Sequence, residues 1–232
     1  MANSPAKKVA IIIPAKDEEA RISSVLRAAC ASKLADEVIV VDDGSSDDTA
    51  YVAGKTAGVR VLELAYNVGK AAAMAEGARS TTAPILTFVD ADLEGLTGEH
   101  IDKIIRPILN GDCEMCVGVF RGGKTWSDNA QKIAPYLSGQ RALKRELFES
   151  VPNIAELRMG IEWALTDAAK RRRARVMRVA LDGVSNCHKE QKLGAMKGVA
   201  ARTKMYIEIA QAMVRNKQGT RPRIKKNRRP WL

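Results

Sequence analysis

Short apolar runs alternate with longer, half-apolar stretches along the first half of the chain. Residues 9–14 are apolar throughout and too short for a helix, which predicts a buried strand. Residues 37–41, 59–64 and 85–89 repeat that pattern and are rich in β-branched side chains. Helical spacings lie between them. Ile22, Val25, Leu26 and Ala29 fall at i, i+3, i+4 and i+7, and residues 69–80 are Ala-rich. Asp17 or a neighbour is expected to cap the first helix, with Glu18 and Glu19 in its first turn. Ser45 and Asp48 have capping-box spacing ahead of a second helix.

This alternation predicts an α/β fold, with a mostly parallel central sheet and flanking helices. Right-handed crossovers place the strand C-termini on one edge. Residues 14–18, 42–46 and 90–92 each follow a strand, so they should converge there. Asp90 and Asp92 are one residue apart at the end of an apolar run, and strand alternation starts them on the same side. Two hard carboxylates suit Mg²⁺ or Mn²⁺, with a diphosphate completing the shell. The plainer reading is a pair of turn and cap aspartates.

The second half predicts a helix over residues 98–109, a strand over 113–120 and a basic loop from Arg121 to Lys124. Residues 138–143 should lead into a helix carrying Leu143, Leu147 and Val151, and another helix should start near Gly160. Residues 175–181 read as a strand, followed by Cys187 and His188 in a loop. An amphipathic helix is expected over 193–214, with Val199, Thr203, Tyr206, Ile207, Ala210 and Met213 on one stripe. No internal repeat is visible.

Two phosphate-binding devices are missing. No G-x-G-x-x-G follows the first strand, and Gly69-Lys70 lacks the rest of a P-loop. Lys70 at a helix start still offers a point charge to a phosphate. Cys113 and Cys116 form a lone C-x-x-C without a second pair, so the four cysteines read as reduced, structural thiols.

Charge changes the picture at the C-terminus. Of a net +11, eight charges come from Arg215, Lys217, Arg221, Arg223, Lys225, Lys226, Arg228 and Arg229, with no acidic residue among them. The expected division is one domain over 1–215 and a basic, flexible tail over 216–232. The low aromatic content (4%) argues against a nucleic-acid module that stacks bases. No apolar run reaches membrane-spanning length, so a cytoplasmic location is the default expectation.

The order of the motifs resembles family 2 glycosyltransferases of the GT-A fold. The resemblance rests on Pro14-Ala15-Lys16-Asp17-Glu18, Val41-Asp42-Asp43-Gly44-Ser45, Gly69-Lys70 and Val89-Asp90-Ala91-Asp92. It implies a nucleotide-diphospho-sugar transferase. The nucleotide would lie against Pro14, Ala15, Lys16, Glu18, Asp42, Asp43, Gly69, Lys70, Asp90 and Ala91. Asp90 and Asp92 would hold the metal. Residues 138–143 resemble a stretch found in dolichol-phosphate mannose synthases and glucosyl-3-phosphoglycerate synthases. Glu162 and His188 are similar to residues of the latter, which implies that Glu162 contacts the donor sugar and His188 completes the metal site.

On that reading Asp92, Glu162 and Lys70 are the catalytic candidates. Arg121, Lys124, Gly139, Gln140 and Arg141 are candidates for an anionic acceptor, since guanidinium matches phosphate oxygens. The expected partners are a UDP- or GDP-sugar and a phosphorylated or lipid acceptor, with a second copy of the chain as a homodimer. The alternatives are a nucleotidyltransferase and a non-catalytic scaffold docked through its tail to a membrane or nucleic acid. Each tail Lys or Arg is worth about 1 kcal/mol near an anionic membrane, which would place the protein at the inner face of the membrane. Deleting residues 216–232 should therefore reduce co-sedimentation with anionic liposomes; equal pelleting rejects the membrane role.

Overall fold

The computed structural model describes residues 8–121, 138–157 and 160–186. Four parallel strands open the fold: β1 (Val9–Ala15), β2 (Glu37–Asp42), β3 (Val59–Glu63) and β4 (Ile85–Phe88). They lie in the order β3-β2-β1-β4. The connections are α1 (Glu19–Cys30), α2 (Thr49–Gly54) and α3 (Lys70–Arg79). A two-residue strand β5 (Leu93–Glu94) and the helix α4 (Gly98–Leu109) follow β4.

The sheet then continues outward from β4. Strands β6 (Met115–Arg121), β7 (Arg141–Lys144) and β8 (Val176–Asp182) extend it in the order β4-β7-β6-β8. Strand β7 is antiparallel to both neighbours, while β8 runs parallel to β6. Only β7 is therefore reversed. The described residues also form the helices α5 (Arg145–Glu149) and α6 (Ile161–Arg171), with a 3-10 turn at Ile154–Leu157 between them. A short strand β9 (Ser185–Asn186) pairs with β5 as a separate two-stranded ladder.

The core has two halves, one on each face of the sheet. Val9, Ile11 and Ile13 face α1 and α4, whose Ile22, Leu26, Ile101 and Ile104 cover them. Ala10 and Ile12 face the other way, toward Ala73 and Met74 of α3 and Ile161 and Leu165 of α6. A strand buried on both faces must be apolar at every position, which explains the unbroken run from Val9 to Ile13.

One expected helix starts later than the sequence suggests. Residues 141–144 form a strand, and the helix begins only at Arg145. The stretch is composed of helix formers, yet β4 and β6 both offer it ladder partners, and tertiary pairing overrides propensity. Leu143, Leu147 and Val151 are buried all the same. Cys113 and Cys116 are buried thiols, and Cys30 is exposed. Burial and the neighbouring Cys113 push the Cys116 thiol up to about 12. The stripe over 193–214, the tail, Lys124, Cys187 and His188 lie outside the described residues.

Helix α3 lies close on the sheet because Gly77 faces it. A Cβ at Gly77 would sit 2.5 Å from Ile12 Cγ2 and 3.0 Å from Val41 Cγ2. Gly77→Ala should destabilise the fold by about 1–3 kcal/mol despite its gain in helix propensity. Urea denaturation checks this; a stabilised variant would show that α3 can lift without cost.

Candidate active site

The ends of β1, β2 and β4 share one edge, and two loops there are locked together. The Asp43 N–H donates to the Ala15 carbonyl at 2.8 Å, and that of Leu64 donates to Asp42 at 2.9 Å. The first helix is then capped from across the gap. The Glu18 N–H donates to Thr49 Oγ1 at 2.8 Å, and that of Glu19 to Asp47 Oδ2 at 3.2 Å. Asp17 is not the cap: it takes a left-handed φ of 53° and accepts from the Ser46 N–H at 2.8 Å. That hydrogen bond holds its carboxyl below the usual range. Nor does Ser45 form a capping box. Its hydroxyl bonds Asp42, and α2 starts only at Thr49.

The paired aspartates of the second loop divide their work. Asp42 accepts from the Ser45 N–H and hydroxyl. Asp43, 4% exposed, accepts from Val68 N at 2.7 Å and Gly69 N at 3.0 Å. Asp43 thus anchors the turn that delivers Lys70 to the start of α3. Gly44, at φ 63°, lets that turn close: a Cβ there would meet the Tyr66 backbone at 2.7 Å. Lys16 Nζ donates to the Gly44 carbonyl at 2.7 Å. Pro14 is half-buried, while Ala15 and Glu18 are buried on the same rim.

Lys70 joins the two halves of the site. Its ammonium lies 2.6 Å from Asp90 Oδ1 and 2.6 Å from Glu162 Oε1. Burial alone would push its pKa down, but the two carboxylates outweigh burial and hold it above the ordinary lysine value. Burial would likewise raise Asp90, and Lys70, Gln140 and Arg141 reverse that, leaving it below the usual carboxylate range. Arg141 completes the cluster from beneath. It is fully buried, its NH1 donates to the Glu162 carbonyl at 3.0 Å, and burial pushes it down to about 10 against the pull of Glu162 and Asp90.

The second-half candidates separate accordingly. Arg141, an acceptor candidate, spends its guanidinium on the Ser138 and Glu162 carbonyls inside the protein. Gln140 is 1% exposed and donates to Asp90 Oδ2 at 2.7 Å, also an internal contact. Gly139 is packed against the same carboxylate. Arg121 stands exposed at the end of β6, 3.8 Å from Asp182. Gln140 as a partner of Asp90 and Asp43 as a loop anchor were not evident from sequence. The paired acidic residues after β2 were the only signal for the second.

The Asp90–Asp92 segment also departs from expectation. β4 ends at Phe88, so both aspartates lie in the turn beyond it, and strand alternation does not govern their direction. Among the described residues no cluster of three acidic, His or Cys side chains forms. Mg²⁺ and Mn²⁺ do not require one. Such ions commonly take one or two protein carboxylates and fill the shell with water and phosphate. Ala91 is buried between the two aspartates, and the donor chemistry there fits a hard divalent ion.

A family model described as "Glycosyl transferase family 2" matches residues 10–164. The chain belongs to glycosyl transferase family 2. It is 37% identical over 107 residues to a 4,4'-diaponeurosporenoate glycosyltransferase of Staphylococcus haemolyticus, covering 43% of this chain and 28% of that protein. It is 32% identical over 183 residues to a glucosyl-3-phosphoglycerate synthase of Mycolicibacterium paratuberculosis, covering 63% and 55%. The chain thus spans about half or less of these curated relatives. The crystal structure of Mycobacterium tuberculosis glucosyl-3-phosphoglycerate synthase with Mn²⁺, UDP and glucosyl-3-phosphoglycerate superposes with a TM-score of 0.72 at 24% identity, covering 90% of this chain and 79% of that one. The fold of this chain is therefore the GT-A fold.

Removing Lys70 leaves the half-buried Asp90 and the buried Glu162 carboxylates without their shared partner. Lys70→Met should cost about 3–5 kcal/mol near neutrality. Without the ammonium the two facing carboxylates repel, and adding a proton to the pair relieves the repulsion, so the penalty relative to wild type should shrink as pH falls toward 4. Denaturant melts of both proteins at pH 7.5 and 4.5 test this; a penalty that grows on acidification contradicts the charge-cluster account.

Proposed function

We propose that the protein is a metal-dependent glycosyltransferase that moves a sugar from a nucleotide-diphosphate donor to an anionic acceptor, phosphorylated or lipid-linked. The observation that carries this reading is the single rim where the loops after β1, β2 and β4 meet Lys70 and Glu162. A ligand laid along that rim would touch the loops in turn. The strand ends of β2 and β4 lie two inter-strand spacings apart, about 10 Å, with β1 between them. That span suits a nucleoside diphosphate.

In this reading Glu18 and Asp42 line the nucleoside end, and Lys70 at the start of α3 presents its charge to the phosphates. Glu162 binds sugar hydroxyls. Asp92 and Asp90, with His188, would hold Mg²⁺ or Mn²⁺, which when bound neutralises charge developing on the leaving diphosphate. Leu93 pairs with Asn186 in the β5–β9 ladder, and His188 follows Asn186 by two positions in the sequence.

Lys70 also guards the resting site. Between two carboxylates it holds Glu162 oriented without substrate. A phosphate entering the rim would compete with those carboxylates for the same ammonium. An acceptor that is itself a phosphate or carboxylate is already ionised at neutral pH and needs no general base. The names of the two sequence relatives both specify an anionic compound. With Arg141 engaged internally, Arg121 at the end of β6 and Lys124 remain as the acceptor contacts.

Calorimetry with UDP and GDP, with and without Mn²⁺, tests the donor half. Metal-dependent binding of one nucleotide is expected, and Asp92→Ala should abolish the metal dependence. Turnover of the matching nucleotide sugar should fall by about 10²–10³-fold in the same variant, by analogy with loss of other groups that stabilise developing charge. Nucleotide binding indifferent to metal in the wild type would refute the reading.

A further inference from the structure

Gln140 directly precedes β7, the reversed strand, and its side chain is used entirely inside the protein. Its Nε2 lies 2.7 Å from Asp90 Oδ2. A carboxylate only accepts, so the nitrogen of the amide must face Asp90. The surrounding backbone is fixed as well. The Gly118 N–H donates to the Gln140 carbonyl at 2.8 Å. Ser138 Oγ donates to the Gly118 carbonyl at 2.5 Å and lies 3.1 Å from Gln140 Oε1.

The flanking residues make this contact specific. Gly139 admits the carboxylate: a Cβ there would stand 2.3 Å from Asp90 Oδ2. Arg141 ties the backbone of Glu162. Asp90 therefore has one oxygen on Gln140 and the other on Lys70, while Lys70 has its second partner in Glu162. A carboxylate held at only one oxygen could rotate about its χ2; held at both, it cannot.

We propose that Gln140 is a positioning residue, which clamps Asp90 Oδ2 so that Oδ1 stays on Lys70 and the Lys70–Glu162 contact stays aligned with the rim. Its consequence for nucleotide binding rests on the function proposed above; its effect on Lys70 does not. Groups that hold a ligating carboxylate in this way typically change metal affinity or activity by about 10–100-fold when removed.

Gln140→Met keeps the length and volume of the side chain but donates no hydrogen bond. In the free protein, labelling by an amine-reactive ester read by peptide mass spectrometry should show Lys70 reacting several-fold faster in this variant. Lys33 and Lys55 serve as internal references and should not change. In an Asp90→Asn background, Gln140→Met should add little, because the clamped carboxylate is already gone. Ser138→Ala loosens the amide without emptying its slot and should shift Lys70 the same way by less, which keeps the test open if Gln140→Met does not fold. Unchanged Lys70 labelling, or an equal rise at the reference lysines, overturns the proposal. The Mn²⁺-dependent affinity for UDP should weaken by about 10–100-fold in Gln140→Met. A wild-type chain without such affinity would remove the proposed function and leave the labelling to decide the clamp alone.

Discussion

One ammonium between two carboxylates organises this molecule. Lys70 meets Asp90, just past the end of β4, and Glu162, in the first turn of α6 and 92 residues beyond Lys70 along the chain. At an effective dielectric near 20, a pair of unit charges in contact is worth about 4 kcal/mol, and partial burial takes back much of that. The net stabilisation is therefore small, and the importance of the contact is geometric. With Arg141 beneath, the cluster holds two positive and two negative groups. It is neutral as a whole, which is the condition under which such groups can stay buried.

Neutrality depends on each element ending where it does. Asp43 stops the β2 loop and, through Val68 and Gly69, fixes the first turn of α3. Arg141 fixes the first turn of α6 through the Glu162 carbonyl. The site is thus built from helix starts, each pinned by a charged side chain from a neighbouring strand end. A relatively fixed scaffold of this kind places dipoles and charges before any ligand arrives, which is what electrostatic stabilisation of a leaving group requires.

The sequence carried the parallel half clearly. Strands buried on both faces leave unbroken apolar runs, and β1, β2 and β4 stand within a residue or two of where hydropathy puts them. It carried the convergence of the acidic loops too, because handedness alone sends strand C-termini to one edge. It did not carry β7. Arg141, Ala142, Leu143 and Lys144 all favour helix, and the strand exists only because two neighbours supply ladders. The buried roles of Gln140 and Arg141 were hidden for the same reason. A polar or charged side chain reads as surface until the strand that buries it is known. Capping failed similarly, since Asp47 and Thr49 serve a helix that starts thirty residues earlier in the chain.

The placement of β7 also sets an order of events during synthesis. β6 is made first but ends up outside β7 in the sheet, so the later strand must slot between β4 and an earlier one. Until residue 144 has left the ribosome, β4 presents a bare row of peptide groups, the kind of edge that invites pairing with other chains. A nascent chain stalled before that point would expose a strand ready to associate wrongly, whereas one stalled after it would already have closed the gap.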